Sequence, residues 1–177
     1  MHKTINNLIS IQNELKSSSE KDKHPKIIAV SKTFSLDNIQ PLIDYGHCHF
    51  GENKVQEAVN KWSDLKNQNN HIQLHMIGKL QTNKVKYAVS LFDYIHSLDN
   101  IKLAEKISVE QKKINKNLKL FIQVNIGGEI QKSGIDKNNL VDFYNYCKEI
   151  KLNVIGLMCL PPTDSDPVKY FKEMNNL

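Results

Sequence analysis

The sequence predicts a parallel α/β protein, and three observations carry that expectation. Six short apolar runs rich in β-branched and aromatic residues recur along the chain. Helical periodicity fills the stretches between them, at spacings of roughly twenty to thirty-five residues, long enough for a helix to cross over between parallel strands. No repeat, low-complexity tract or linker divides the 177 residues, a length suited to one domain, so residues 1–177 are read as a single unit.

The elements follow in order. Ile5, Leu8, Ile9 and Leu15 fall along one stripe and predict an opening helix. Residues 17–25 are polar and read as a connection. Strands are expected near residues 27–30 and 48–50. After the second, Gly51-Glu52-Asn53 is read as a helix start, with Glu52 in the first turn where a carboxylate suits the positive end of the macrodipole. That helix carries Val55, Ala58, Val59, Trp62 and Leu65 at helical spacing. Further strands are expected near 72–77, 94–96, 118–126 and 154–160. Leu140, Phe143, Tyr144 and Cys147 mark a helix that Asp136 can cap, and Asp166-Pro167 opens a last one bearing Val168, Phe171 and Met174. This pattern fits an open sheet as well as a closed barrel.

Composition limits the partners. The net charge of +5 comes from lysine alone, because the chain contains no arginine. No guanidinium fork is therefore available to grip a phosphate or a ring nitrogen. The lysines are scattered among acids rather than gathered with aromatics, which reads as a solvated surface and not as a nucleic-acid footprint. No apolar run approaches a membrane span, and the amino terminus lacks the apolar core and cleavage site of a secretory signal. Cys48, Cys147 and Cys159 are odd in number and far apart, so they read as reduced thiols. A cytoplasmic protein without nucleic-acid or membrane partners is expected. In an extended His47-Cys48-His49 the two imidazoles face one side and the thiol the other, so no metal site is expected there. Neither a P-loop nor a Rossmann glycine fingerprint occurs.

The chemistry is expected at Lys32, at the end of the apolar run Ile27-Ile28-Ala29-Val30-Ser31. A lysine desolvated by the strand beneath it gives up its proton more readily, and imine formation with an aldehyde requires a neutral amine. By position alone, Lys32 also reads as a solvated strand end. Asn53 could point its amide at a ligand above the strand ends. His75 and Ile77 share one face of the third strand, and Gly78 permits close backbone approach to a flat ligand. His75 reads equally as a hydrogen-bonded core histidine. Residues 127–134 form a loop after the fifth strand, where Lys132 either adjoins the pocket or is solvated.

Four segments taken in order resemble the pyridoxal phosphate homeostasis proteins: Ala29-Val30-Ser31-Lys32-Thr33, Phe50-Gly51-Glu52-Asn53-Lys54-Val55-Gln56-Glu57, His75-Met76-Ile77-Gly78-Lys79-Leu80-Gln81-Thr82-Asn83-Lys84 and Lys132-Ser133-Gly134-Ile135. The resemblance implies a (β/α)8 TIM barrel of the alanine racemase N-terminal type, with pyridoxal 5'-phosphate at the carboxyl ends of the strands. It implies a Schiff base on Lys32, with Asn53, His75, Ile77 and Gly78 as further cofactor-binding residues. The implied function is non-catalytic: binding and homeostasis of intracellular pyridoxal phosphate, with PLP-dependent apoenzymes as partners. No acid or base matched to Lys32 is evident in the sequence, which argues against an enzyme. The alternatives are a racemase-like enzyme and a truncated barrel that binds the cofactor weakly or not at all. Lys79 stands where the family carries proline, which is expected only to loosen the turn. Such barrels have about eight strands, and six are read here. The family's Ser/Gly-rich and Arg-Ile-Gly segments, which hold the phosphate and face the ring nitrogen, do not occur in these 177 residues. An incomplete barrel with an open edge after the sixth strand is therefore expected.

Overall fold

Helix and strand alternate from end to end in the computed structural model, which describes residues 2–18, 25–129 and 132–177. Helix α1 (Lys3–Ser18) leads to β1 (Ala29–Val30), α2 (Leu36–Asp44), β2 (His49–Glu52), α3 (Val55–Gln68) and β3 (Gln73–Met76). A 3-10 turn at Thr82–Lys84 precedes α4 (Val85–Leu91), followed by β4 (Tyr94–Leu98), α5 (Ile101–Lys113) and β5 (Lys119–Val124). A second such turn, Lys137–Asn139, precedes α6 (Leu140–Glu149), β6 (Asn153–Cys159) and α7 (Pro167–Met174). Most of the polar connection expected between α1 and β1 (residues 19–24) lies outside the described residues, as do 130–131 of the loop after β5.

The strands form one sheet in the order β1-β2-β3-β4-β5-β6, and every neighbouring pair is parallel. A doubly wound sheet reverses its strand order at a switch point, whereas a barrel winds in one direction. The uninterrupted order is therefore the one-directional winding of a barrel, and it resolves the ambiguity that periodicity left. Among the described residues β1 and β6 each pair on one side only. None of the seven residues of β6 is buried.

Alternation along the strands separates two faces. Phe50, Leu74, Met76, Ile95, Leu120 and Ile122 are fully buried against the helices. The Phe50 ring packs 5.0 Å from that of Trp62 on α3. His49, His75, Tyr94, His96 and Phe121 stack or hydrogen-bond with one another on the other face, which becomes the lumen.

Two local expectations are corrected. Gly51 and Glu52 do not open α3; they continue β2, pairing with His75 and Met76, and α3 starts at Val55. The apolar run ends at Phe50, but backbone pairing does not require apolar side chains. Asp136 caps the 3-10 turn before α6 rather than α6 itself, accepting from the Asn138 amide at 2.8 Å. Asp166 caps α7 as expected, accepting from the Val168 amide at 3.0 Å. Helices α2 and α5 gave weaker sequence signals for visible reasons: Pro41 lies inside α2, and α5 buries Ser108, Glu110 and Gln111 on its inner face.

Candidate functional site

The carboxyl ends of the first strands bring together most of the residues singled out from sequence. Lys32 follows β1 at the corner of a turn closed by the Phe34 amide donating to the Ser31 carbonyl at 3.2 Å. Ser31 points outward toward α3, where its hydroxyl donates to Glu52 Oε1 at 2.8 Å. Strand alternation then puts Lys32 on the lumen side with Ile28 and Val30. Lys32 is exposed. The burial expected from the apolar strand beneath it is absent, because β1 is only two residues long and Val30 itself is 47% exposed.

Thr33, the next residue, has φ 68°. A negative φ followed by a positive one is the sign pattern of a type II turn, whose third position normally takes glycine or asparagine. A β-branched residue held in that conformation costs about 1–3 kcal/mol. The neighbouring contacts offset this. Glu52 is 0% exposed, and its Oε1 accepts from the Ser31 hydroxyl, from Lys61 Nζ at 2.9 Å and from Trp62 Nε1 at 3.0 Å. Lys61 Nζ also donates to the Ser31 carbonyl at 2.8 Å. Sequence reasoning missed this cluster, since Glu52 was read as a helix-start residue. The only signal was the pairing of one acid with a lysine and a tryptophan on the following helix.

Asn53 follows β2 directly and is half-buried; its Oδ1 is shut off from solvent and has no hydrogen-bond partner. Gly78 lies against it: a Cβ at position 78 would stand 2.3 Å from the Asn53 carbonyl oxygen. At the position of that Cβ, Gly78 closely approaches the chain's own β2 end. Ile77 faces the lumen beside Gly51, with its Cδ1 3.2 Å from where a Cβ would stand. Outside the lumen, a cavity of about 350 Å³ is lined by Asn53, Gln56, Met76, Lys79, Gln81 and Lys84.

His75 sits deeper, 4% exposed. Its Nε2 is 3.0 Å from His49 Nδ1 and its Nδ1 is 2.9 Å from His96 Nε2, while its ring stacks on Tyr94 at 4.1 Å. Both ring nitrogens are therefore engaged within the protein, the core arrangement the sequence left open beside direct ligand contact. The register makes this an ascending ladder: His75 is level with Gly51, two residues above His49, and His96 is two residues above the Tyr94 that pairs with His75. Burial, reinforced by the neighbouring His96 and His49, pushes the His75 pKa down to about 3, and burial pushes His96 down to about 4. The ladder is neutral at physiological pH. Its nitrogens pair rather than converge, and among the described residues no group of three or more His, Cys, Asp or Glu is arranged to hold a metal.

Lys132 is engaged by the chain itself. It pairs with Glu129 at 2.6 Å and donates to the Pro161 carbonyl at 3.3 Å, tying the loop after β5 to the end of β6. Among the described residues no helix is long and apolar enough to cross a membrane.

Comparison with known proteins agrees with this geometry. The family described as "Alanine racemase, N-terminal domain" matches residues 7–176. The pyridoxal phosphate homeostasis protein of Aquifex aeolicus is 37% identical over 156 residues, covering 86% of this chain and 68% of the relative. That of Pasteurella multocida is 35% identical over 179 residues, covering 97% of this chain and 77% of the relative. PipY of Synechococcus elongatus, solved with PLP bound, superimposes with a TM-score of 0.83 at 29% identity, covering 97% of this chain and 78% of PipY. Without PLP it superimposes with a TM-score of 0.84. The one-directional parallel winding, the lysine after β1 and these matches together show that the chain belongs to the alanine racemase N-terminal domain family and, within it, to the pyridoxal phosphate homeostasis proteins.

Proposed function

We propose that this protein binds pyridoxal 5'-phosphate through a Schiff base on Lys32 and serves as a cytoplasmic carrier that holds the cofactor and passes it to PLP-dependent apoenzymes. The observation that carries the reading is the placement of Lys32: an exposed amine on the lumen side of the barrel at a strand's carboxyl end, with no ion pair among the described residues. Pyridoxal 5'-phosphate supplies an aldehyde that condenses with an amine. The residues present fit that end of it, since Lys32 offers the amine and Asn53 follows β2, the strand that neighbours β1 in the sheet. Ile77 supplies an apolar wall, Gly78 fixes Asn53, and His75 supports the floor. PipY, solved with PLP bound on the same fold, supports the choice of cofactor.

A carrier fits better than a catalyst. Moving a proton at an amino acid's Cα needs an acid and a base beside the amine. The buried imidazoles of the lumen are engaged with one another.

Incubation with pyridoxal 5'-phosphate, borohydride reduction and peptide mapping test the assignment. The reduced adduct is expected on Lys32. A label on Lys132, or one spread evenly over surface lysines, would sink it. Steady amino-acid racemisation abolished by Lys32→Ala would overturn the carrier reading.

A further inference from the structure

Ser31 is gripped at three points. Its amide donates to the Gly51 carbonyl at 2.9 Å, its hydroxyl to Glu52 Oε1, and its carbonyl accepts from Lys61 Nζ and from the Phe34 amide. That carbonyl belongs to the peptide unit whose nitrogen is that of Lys32. The grip is placed where the sheet alone is weakest: β1 contributes two residues and two register pairs, Ala29 with Phe50 and Val30 with Gly51. A fully buried carboxylate is costly unless charge-paired and hydrogen-bonded, and here it takes three donors from two elements onto one oxygen. On the far side of Lys32 the chain enters the left-handed Thr33.

We infer that Glu52 and Lys61, acting through Ser31, together with the left-handed Thr33, are positioning residues that fix the backbone on both sides of Lys32 and so aim its exposed amine. This rests on the reading that Lys32 carries the cofactor. Joining a neutral amine to an aldehyde forms a carbon–nitrogen double bond and releases the carbonyl oxygen with both amine protons as water. The attacking nitrogen must approach the carbonyl carbon from one direction. A long, exposed side chain meets that requirement often only if its anchor is still, since misplacement of about 1 Å can cost up to about a hundredfold in rate. The strain at Thr33 has a use on this account, because it persists only where the surroundings over-determine the turn.

The test uses the whole chain and two readouts: exchange of the Phe34 amide, and the rate at which pyridoxal 5'-phosphate becomes borohydride-reducible on Lys32. A small acylating ester controls for intrinsic amine reactivity. In the wild type the Phe34 amide exchanges slowly. In Glu52→Gln/Lys61→Met, which removes both charges together, its exchange accelerates and addition at Lys32 slows, each by at least about tenfold. Acylation of Lys32 by the small ester stays within about twofold, because exposure is unchanged. Thr33→Gly is the second arm. It removes the steric conflict and leaves thermal stability equal or higher, yet it slows addition at Lys32 several-fold by freeing the turn. A purely structural role predicts that rate follows stability instead.

Wild-type addition rates in both variants would overturn the inference. So would a fast-exchanging Phe34 amide in the wild type. Absence of any Lys32 adduct in the wild type with a slowly exchanging Phe34 amide would overturn the cofactor reading and, with it, the purpose assigned to the turn, while leaving its rigidity established.

Discussion

Lowering the pH from 7 to 4.5 should cost this protein a large part of its stability, and the imidazole ladder sets the size of the loss. In an unfolded chain His75 and His96 take up protons near 6.5; in the folded protein they do so only near 3 and 4. Between these values the unfolded chain holds more protons, so stability is complete above 6.5 and declines as pH falls toward the folded values. At pH 4.5 each ring is two units below its unfolded pKa. At about 1.4 kcal/mol per unit this amounts to at most about 2.7 kcal/mol each, and about 3–5 kcal/mol together allowing for their direct coupling. Domains of this kind have about 5–15 kcal/mol in all. Urea unfolding at a series of pH values measures the effect through the midpoint, provided the m-value holds constant. Near pH 5 the wild type should take up about two protons on unfolding, a slope of about 2.7 kcal/mol per pH unit. In His75→Gln, which keeps hydrogen-bonding capacity but does not titrate, the slope should fall to about half. A midpoint that stays level from pH 7 to 4.5, or a variant as acid-sensitive as the wild type, would refute the reasoning.

Three other expectations concern packing. Gly78→Ala drives a methyl group into the Asn53 backbone and should destabilise by about 1–3 kcal/mol in thermal unfolding; an unchanged melting temperature would contradict the contact. Asn100→Ala removes the acceptor that receives the Leu103 amide at 2.9 Å at the start of α5, and should cost about 1 kcal/mol by urea titration. Cys147 is fully buried on the inner face of α6, where burial pushes its thiol pKa up to about 11. Iodoacetamide at pH 8 should modify it only after denaturation, and rapid alkylation of the native protein would show that α6 is not packed as described.

Much of the architecture could be read in the chain because its parallel strands are written as short apolar runs. The run ending at Val30 located β1 and its lysine, and Val55, Ala58 and Trp62 located α3. Register is not written that way. That His75 lies between His49 and His96 depends on how three strands are staggered, and a strand read by itself says only that each imidazole points inward. Glu52 escaped for a related reason. An acid after a glycine looks like a helix start, and only the return of α3 over β2 brings Lys61 and Trp62 onto it. Gly78 was recognised as a point of close approach, but its neighbour, the Asn53 backbone, is set by the pairing of β2 with β3.

The placement of Trp62 gives the protein an optical reporter of its own. It is the only tryptophan in the chain, wholly enclosed, with its indole N–H on the same carboxylate oxygen that holds Ser31. Its emission therefore senses the polarity and hydration at the base of the Lys32 turn. A red shift without global unfolding would signal water reaching Glu52. The state of that turn can be followed by fluorescence in solution without attaching a dye.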